Sequence, residues 1–404
     1  MQRPYLFFPA VVRRRFSLPC PLPPNSLQYR TMRILLTCFS RSWGGLEIQA
    51  VELARQLKRR EHEVWLACLP DSRLEHEAID KEVRTLPFDV TGYMHPRLVW
   101  RLGKFIMRSD LDIIHCQLSK DIATVVPAVK AGMSHVPILL TRSMGSYVNK
   151  KDPLHQFTYG NLSLVLAVSN VIRKNVIDTT PMKPEQVLVV PYGVDPATFS
   201  TDQVDRGAVR RSLGYSGPEI VVGFVGRYSP GKGHEEFLRA AEVARKQDPR
   251  LRFLIVGEAS YGEEAYAHQV LELSHQLRLD DVTKFTGYRR DVRELMAAFD
   301  IFAFPSHAES FGIVLIEAMA MARPVVASSS DGVLDIVVDQ ETGILVPPRD
   351  YVPLATALLR LAGNEGLRLQ LGTAGRRRML EHFNQERIID RIEEIYQGLQ
   401  YSEE

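Results

Sequence analysis

From Met32 onward, short runs of Val, Ile and Leu alternate with longer stretches whose apolar residues recur at helical spacing, and the alternation occurs twice. This is the pattern of βαβ units around a parallel sheet, in which crossover helices cover both faces and leave the strands apolar throughout. Strands are predicted in the first half at 33–38, 63–68, 113–115, 138–141, 164–168 and 187–190, with helices at 47–58 and 96–108 among the connections. A break follows at Pro191-Tyr192-Gly193-Val194-Asp195-Pro196, and polar sequence runs on to Gly217-Pro218. The alternation then restarts, with strands predicted at 219–226, 252–257, 283–285, 301–305, 324–327 and 344–346. The last periodic segment, 375–400, reads as one helix long enough to return to the first half. Two doubly wound α/β domains are therefore expected, 32–195 and 218–375, joined by a linker at 196–217 and followed by a crossover helix at 376–404. Such sheets bind ligands beyond the carboxyl ends of their strands, so chemistry is expected in a cleft between the domains.

A length of 404 residues suits two domains at about 150 residues each. The formal net charge is +2, but residues 1–31 hold five arginines, six prolines and no acid, which leaves the remainder of the chain at −3. A nucleic-acid-binding protein needs its basic charge clustered on the folded body, so nucleic acid is not an expected partner. The leading segment is too short in apolar sequence and too broken by proline for a secretory signal. An upstream start codon ahead of the fold accounts for it most simply. No apolar run approaches the roughly 18 residues that cross a bilayer, and Cys20, Cys38, Cys68 and Cys116 form no C-x-x-C pair. Reduced thiols and a cytoplasmic location are expected.

Three loops carry candidate chemistry. After the strand at 219–226 comes Gly226-Arg227-Tyr228-Ser229-Pro230-Gly231-Lys232-Gly233, and His234-Glu235-Glu236 opens a helix. Glycines let backbone amides approach an anion, a helix N-terminus adds partial positive charge, and Arg227 and Lys232 bring full charges to the same mouth. Residues 226–232 also spell G-x-x-x-x-G-K, but Gly233 stands where a P-loop needs Ser or Thr to hold magnesium. The second loop, Pro305-Ser306-His307-Ala308-Glu309-Ser310-Phe311-Gly312-Ile313, leads into a helix with Glu317 one or two turns on. Glu309 and Glu317 are thus placed to address two parts of one extended ligand, or are solvated helix charges; the apolar run 313–316, which buries the helix between them, favours the first. Third, Gly44-Gly45 follows the first strand and offers backbone to a phosphate.

Together these residues resemble the family 4 retaining glycosyltransferases. The likeness rests on Gly44-Gly45, Asp112-Ile113-Ile114-His115, Ala167-Val168-Ser169, Pro191-Tyr192-Gly193-Val194-Asp195, Gly226-Arg227 with Lys232-Gly233, Phe285-Thr286-Gly287-Tyr288, and the span from Glu309 to Glu317. It implies the GT-B fold, two Rossmann-like domains facing across a cleft. It further implies that Arg227 and Lys232 clamp the diphosphate of a nucleotide-sugar donor (UDP or GDP), with Gly226 beside them. Glu317 would then hold the ribose, Glu309 with the amides near Phe311, Gly312 and Ile313 the donor sugar, and Gly287 and Tyr288 the base. No cofactor and no metal are implied: the D-x-D spelling of metal-dependent transferases occurs only at Asp110-Leu111-Asp112, in an ordinary helix-to-strand turn.

One departure stands out. Many members carry a histidine after the strand at 138–141 where this chain has Arg142-Ser143, and His115 is the nearby strand-end imidazole, read here either as catalytic or as a satisfied core residue. The acceptor is expected on the first domain and to be a glycan or lipid-linked molecule, in lipopolysaccharide, exopolysaccharide or other cell-surface glycan synthesis. The helix at 96–108, with Arg97, Arg101, Lys104 and Arg108 beside Trp100, allows peripheral contact with an anionic membrane on its cytoplasmic face, or forms a solvated basic edge. The alternatives to a transferase are a non-catalytic nucleotide-sugar-binding protein, a P-loop-like phosphohydrolase and an epimerase of the same fold.

Overall fold

A computed structural model describes residues 30–89, 96–259 and 262–400. The leading segment to residue 29, including Cys20, lies outside them. The chain divides into two compact units, one made of residues 1–191 and 388–404, the other of residues 192–387.

In the first unit, strands β1 (Arg33–Cys38), β2 (Glu63–Cys68), β3 (Arg84–Pro87), β4 (Ile113–Cys116), β5 (Ile138–Arg142), β6 (Leu164–Ala167) and β7 (Val187–Val189) form a parallel sheet in the order β3-β2-β1-β4-β5-β6-β7. The second unit repeats the design with β8 (Ile220–Val225), β9 (Leu251–Val256), β10 (Thr283–Phe285), β11 (Ile301–Phe304), β12 (Val325–Ser328) and β13 (Ile344–Val346), ordered β10-β9-β8-β11-β12-β13. In both, strand order reverses beside the first strand, so the crevices that bind ligands in this architecture open beyond β1 and β4 and beyond β8 and β11. Every strand expected from the apolar runs is present. β3 is additional: it is short, ends in Pro87 and lies at the sheet edge with its residues partly exposed, so no apolar run marks it.

Two expectations differ from the structure. Residues 196–217 belong to the second unit, where Arg206 and Arg210 of the helix Arg206–Ser212 both pair with Asp300, Arg210 at 2.8 Å. The single helix expected at 375–400 is two, Glu365–His382 and Gln385–Gln400. Between them the backbone turns aside to pair with Val194, whose amide donates to the Phe383 carbonyl (2.9 Å) and whose carbonyl accepts from the Gln385 amide (3.1 Å).

The last helix completes the first core. Ile389, Ile392, Ile395, Tyr396 and Leu399 join Ile34, Leu36, Leu66 and Ile113 in one buried cluster. A polar tie fixes its register: the fully buried Glu393 accepts from Arg60 (2.6 Å) and from His62 Nε2 (2.8 Å), while His62 Nδ1 accepts the Met32 amide (3.1 Å). Removing Glu393 takes the Nε2 partner from the buried His62 and leaves Arg60 with only the half-exposed Asp390 of this pair of carboxylates. Glu393→Ala is therefore expected to cost about 3 kcal/mol or more of first-unit stability, read by urea unfolding against Asp390→Ala, whose carboxylate is half exposed and whose loss should cost far less.

Candidate active site

The second unit gathers most of the expected site residues at its switch point. β8 ends at Val225, and residues 226–233 turn into the helix His234–Gln247. Gly233 caps that helix with φ +83°, and a Cβ there would lie 2.2 Å from the Pro305 carbonyl oxygen, so the loops after β8 and β11 touch backbone to backbone. The His307 amide donates to the Gly231 carbonyl (2.8 Å). Lys232 Nζ then meets Glu309 Oε2 at 2.6 Å, both side chains largely sheltered. The loop after β12 supports Glu309 in turn: the Gly332 amide donates to the Glu309 carbonyl (2.9 Å), and a Cβ on Gly332 would sit 2.2 Å from the Ser310 carbonyl oxygen.

On the other side of β8 the Gly226 amide donates to Val256 (3.0 Å), a Cβ on Gly257 would lie 1.9 Å from the Gly226 carbonyl oxygen, and the Gly257 amide donates to Gly287 (3.0 Å). Gly226, Gly287 and the exposed Tyr288 thus stand along one edge, with Arg227 exposed beside them. Gly312, φ +95°, caps the helix Ile313–Ala320 without any side-chain cap. The Phe311 ring is buried edge-on against Tyr192 and Phe383, so this residue offers the site its backbone rather than its ring. Glu317 is partly exposed on that helix; its carboxylate has no hydrogen-bond partner among the described residues, and desolvation pushes it up to about 7.

The acidic turn Glu235-Glu236 is engaged inside the fold: Tyr266 donates to Glu235 (2.6 Å), and His307 Nε2 lies 2.9 Å from Glu236. His307 is a site neighbour that sequence reasoning did not single out, since its partner is fixed only by the contact of the two loops. His234 is fully buried, stacked on Tyr228, with both ring nitrogens unpartnered; burial, then the Lys232 charge, lowers it to about 3.

The remaining expected residues lie in the first unit. His115 is a correction. It sits inside β4 opposite Leu36 of β1, fully buried, with Nδ1 bound to the Tyr396 hydroxyl (2.6 Å) and Nε2 to Thr141 (2.7 Å); burial lowers it to about 3. Both nitrogens are satisfied, which makes it a packing residue and withdraws it from catalysis. Gly44 is extended (φ −166°), and a Cβ there would meet nothing nearer than the Glu47 carboxylate at 3.6 Å, a poor neighbour for a phosphate; Gly45 opens the helix Gly45–Arg59. Asp112 is occupied as a turn residue, accepting the Arg33 amide (2.7 Å).

With this geometry in view, the comparisons are direct. The family described as "Glycosyl transferases group 1" matches residues 205–378, and "Glycosyltransferase Family 4" matches residues 43–198. The chain belongs to the family 4, group 1 glycosyltransferases. It is 35% identical over 219 residues to the D-inositol 3-phosphate glycosyltransferase of Saccharomonospora viridis, covering 53% of this chain and 50% of that one. The corresponding enzyme of Actinosynnema mirum is 38% identical over 191 residues, 46% and 45% of the two chains. The match thus spans about half the length of these relatives. Among solved structures, a Rickettsia africae glycosyltransferase superposes with a TM-score of 0.82 (21% identity, 92% of this chain and 99% of that one), and Anabaena HepE in complex with UDP with 0.80 (23% identity, 91% and 100%). Both have this GT-B fold.

The contact at Gly233 yields a stability test. Gly233→Ala adds a methyl where a carbonyl oxygen already sits and an L side chain where φ is positive, so it should destabilise the second unit by about 2 kcal/mol or more, seen as a lowered thermal midpoint. Gly262→Ala, with positive φ but nothing within 4 Å, should cost less.

Proposed function

We propose that this protein transfers a sugar from a nucleoside diphosphate sugar to an acceptor hydroxyl with retention of anomeric configuration and without a metal ion. The observation that carries the reading is the Lys232–Glu309 contact at the second unit's switch point, with Glu317, whose carboxylate is unpartnered among the described residues, on the helix that follows the Glu309 loop. Lys232 and Arg227 meet the diphosphate with Gly226 beside them, Glu309 and the amides at Phe311, Gly312 and Ile313 the sugar, Glu317 the ribose hydroxyls, and Gly287 and Tyr288 the base. As the sugar–phosphate bond breaks, its electron pair goes to the diphosphate, where preorganised cations stabilise the growing charge. The acceptor oxygen bonds to the sugar from the face the phosphate leaves, and its proton passes to the departing phosphate. No covalent nucleophile is needed. UDP is the preferred donor nucleotide on the likeness to HepE, and the first unit takes the acceptor.

A P-loop phosphohydrolase is disfavoured on sterics: the position after Lys232 packs against the Pro305 carbonyl, where a serine or threonine side chain does not fit. Peripheral membrane contact is supported by the helix Pro96–Ser109, which buries Leu98, Leu102 and Ile106 and exposes Trp100 and Met107 among Arg97, Arg101 and Arg108. No helix among the described residues is long and apolar enough to cross a membrane. A site at the cytoplasmic face, acting in cell-surface glycan synthesis, fits these features.

A thermal-shift screen tests donor binding, and UDP release tests turnover. A UDP-sugar should stabilise the protein with chelator present, and Arg227→Ala and Lys232→Ala should abolish the shift and lower turnover about 100-fold or more. Unchanged turnover in Glu309→Gln would refute its place on the sugar.

Glu317 adds a pH signature. Folded, it keeps its proton up to about 7, whereas the unfolded chain releases it near the ordinary 4.5, so over that window the folded state binds more protons and this group's contribution to stability falls as pH rises. Glu317→Gln should make the unliganded protein's loss of thermal midpoint across this window shallower. Ribose hydroxyls donate to the ionised carboxylate, so the UDP-induced shift should grow as pH rises through about 7 in the parent and stay flat in the variant.

A further inference from the structure

The first unit buries a guanidinium and a phenol that find no hydrogen-bond partner among the described residues. Arg142, the last residue of β5, is 5% exposed, and its side chain makes no hydrogen bond or ion pair among the described residues, with Nε wholly enclosed. Tyr159, on the helix Pro153–Gly160, is 1% exposed with its hydroxyl unpartnered. Lys150 stands on the connection between them, its ammonium disfavoured first by burial and then by the Arg142 charge; no carboxylate among the described residues acts on it or on Tyr159. Asp152, the nearest acid in sequence, is committed to capping the helix Pro153–Gly160 and to His155.

A sheltered guanidinium without a counter-charge is costly, and native structures keep such groups where something else pairs with them. The guanidinium fork and a phenolic hydroxyl are the donors that bind oxyanions. Arg142 closes the carboxyl end of β5, the strand next to β4 and hence adjacent to the switch point at which this architecture takes ligands.

We infer that Arg142, Lys150 and Tyr159 form an oxyanion subsite on the first unit, which recognises a phosphate or carboxylate group on the acceptor. The inference rests on the transferase reading above and adds the chemical class of the acceptor. Around the subsite the chain exposes Met144, Tyr147, Val148, Leu154 and Phe157, so the anion's bearer is either a water-soluble phosphate ester or the headgroup of a lipid lying on this apolar rim.

Inorganic phosphate is titrated into the full chain and followed by thermal shift, in parallel with UDP. Phosphate should stabilise the parent, Arg142→Gln should weaken its affinity about tenfold or more and Tyr159→Phe about threefold, while UDP affinity stays within about twofold of the parent's. Equal phosphate affinity in parent and variants overturns the inference, as does the absence of any phosphate effect on the parent. A parallel fall in UDP affinity also overturns it, since the anion would then be the donor's own diphosphate. Failure of the parent to bind UDP or any nucleotide-sugar would instead sink the transferase reading. If Arg142→Gln does not fold, Lys150→Gln, at a half-exposed position, and Tyr159→Phe decide the matter. Sedimentation with phosphatidylglycerol vesicles but not phosphatidylcholine vesicles, lost in Lys150→Gln, identifies a lipid headgroup; phosphate binding without vesicle binding identifies a soluble acceptor.

Discussion

The second unit's site depends on a separation between two backbones that only a residue without a side chain permits. Gly233 lets the loop after β8 settle on the carbonyl of Pro305, and from that contact follow the His307–Gly231 hydrogen bond and the meeting of Lys232 with Glu309. Neither charged side chain is positioned by its own strand alone. The parallel sheet sets the loops side by side, and the close approach sets their height. Gly332 and Gly257 repeat the device on the flanking loops, so four strand ends form one continuous floor.

That floor is preorganised for an anion but not empty of charge. Lys232 already pairs with Glu309, so on the proposed reading a diphosphate shares or replaces that partner and frees Glu309 toward hydroxyl donors. Glu317 is the reverse case, a carboxyl whose surroundings favour the proton until hydrogen-bond donors arrive. On the proposed reading one side chain exchanges partners on binding and the other changes charge state, which separates the parts of the site that would discriminate phosphate from sugar.

Much of this was legible in the sequence, and the reasons for the rest are physical. Buried parallel strands announce themselves because both faces are apolar. β3 is an edge strand and does not. The glycines at 226, 231 and 233 pointed to a backbone-lined loop, but no local pattern shows that Pro305 fills the space beside one of them. His115 stood at a strand end, where site residues often lie, yet its partners are Thr141 and a tyrosine 281 positions away. The break at Phe383 is invisible to helical periodicity because it is made by hydrogen bonds to Val194. Arg142 looked only like a departure from a familial histidine until its lack of a partner was seen.

The tie between Glu393 and the Arg60–His62 pair bears on how the polypeptide is made. The first unit leaves off at residue 191 and resumes at 388, with the whole second unit inserted between. During vectorial synthesis the contiguous second unit can close as soon as it emerges. The first sheet, though translated earlier, must wait with an uncovered apolar face, and with Arg60 and His62 lacking Glu393, for the helix Gln385–Gln400. The first core is therefore completed only after the second unit's sequence has been made.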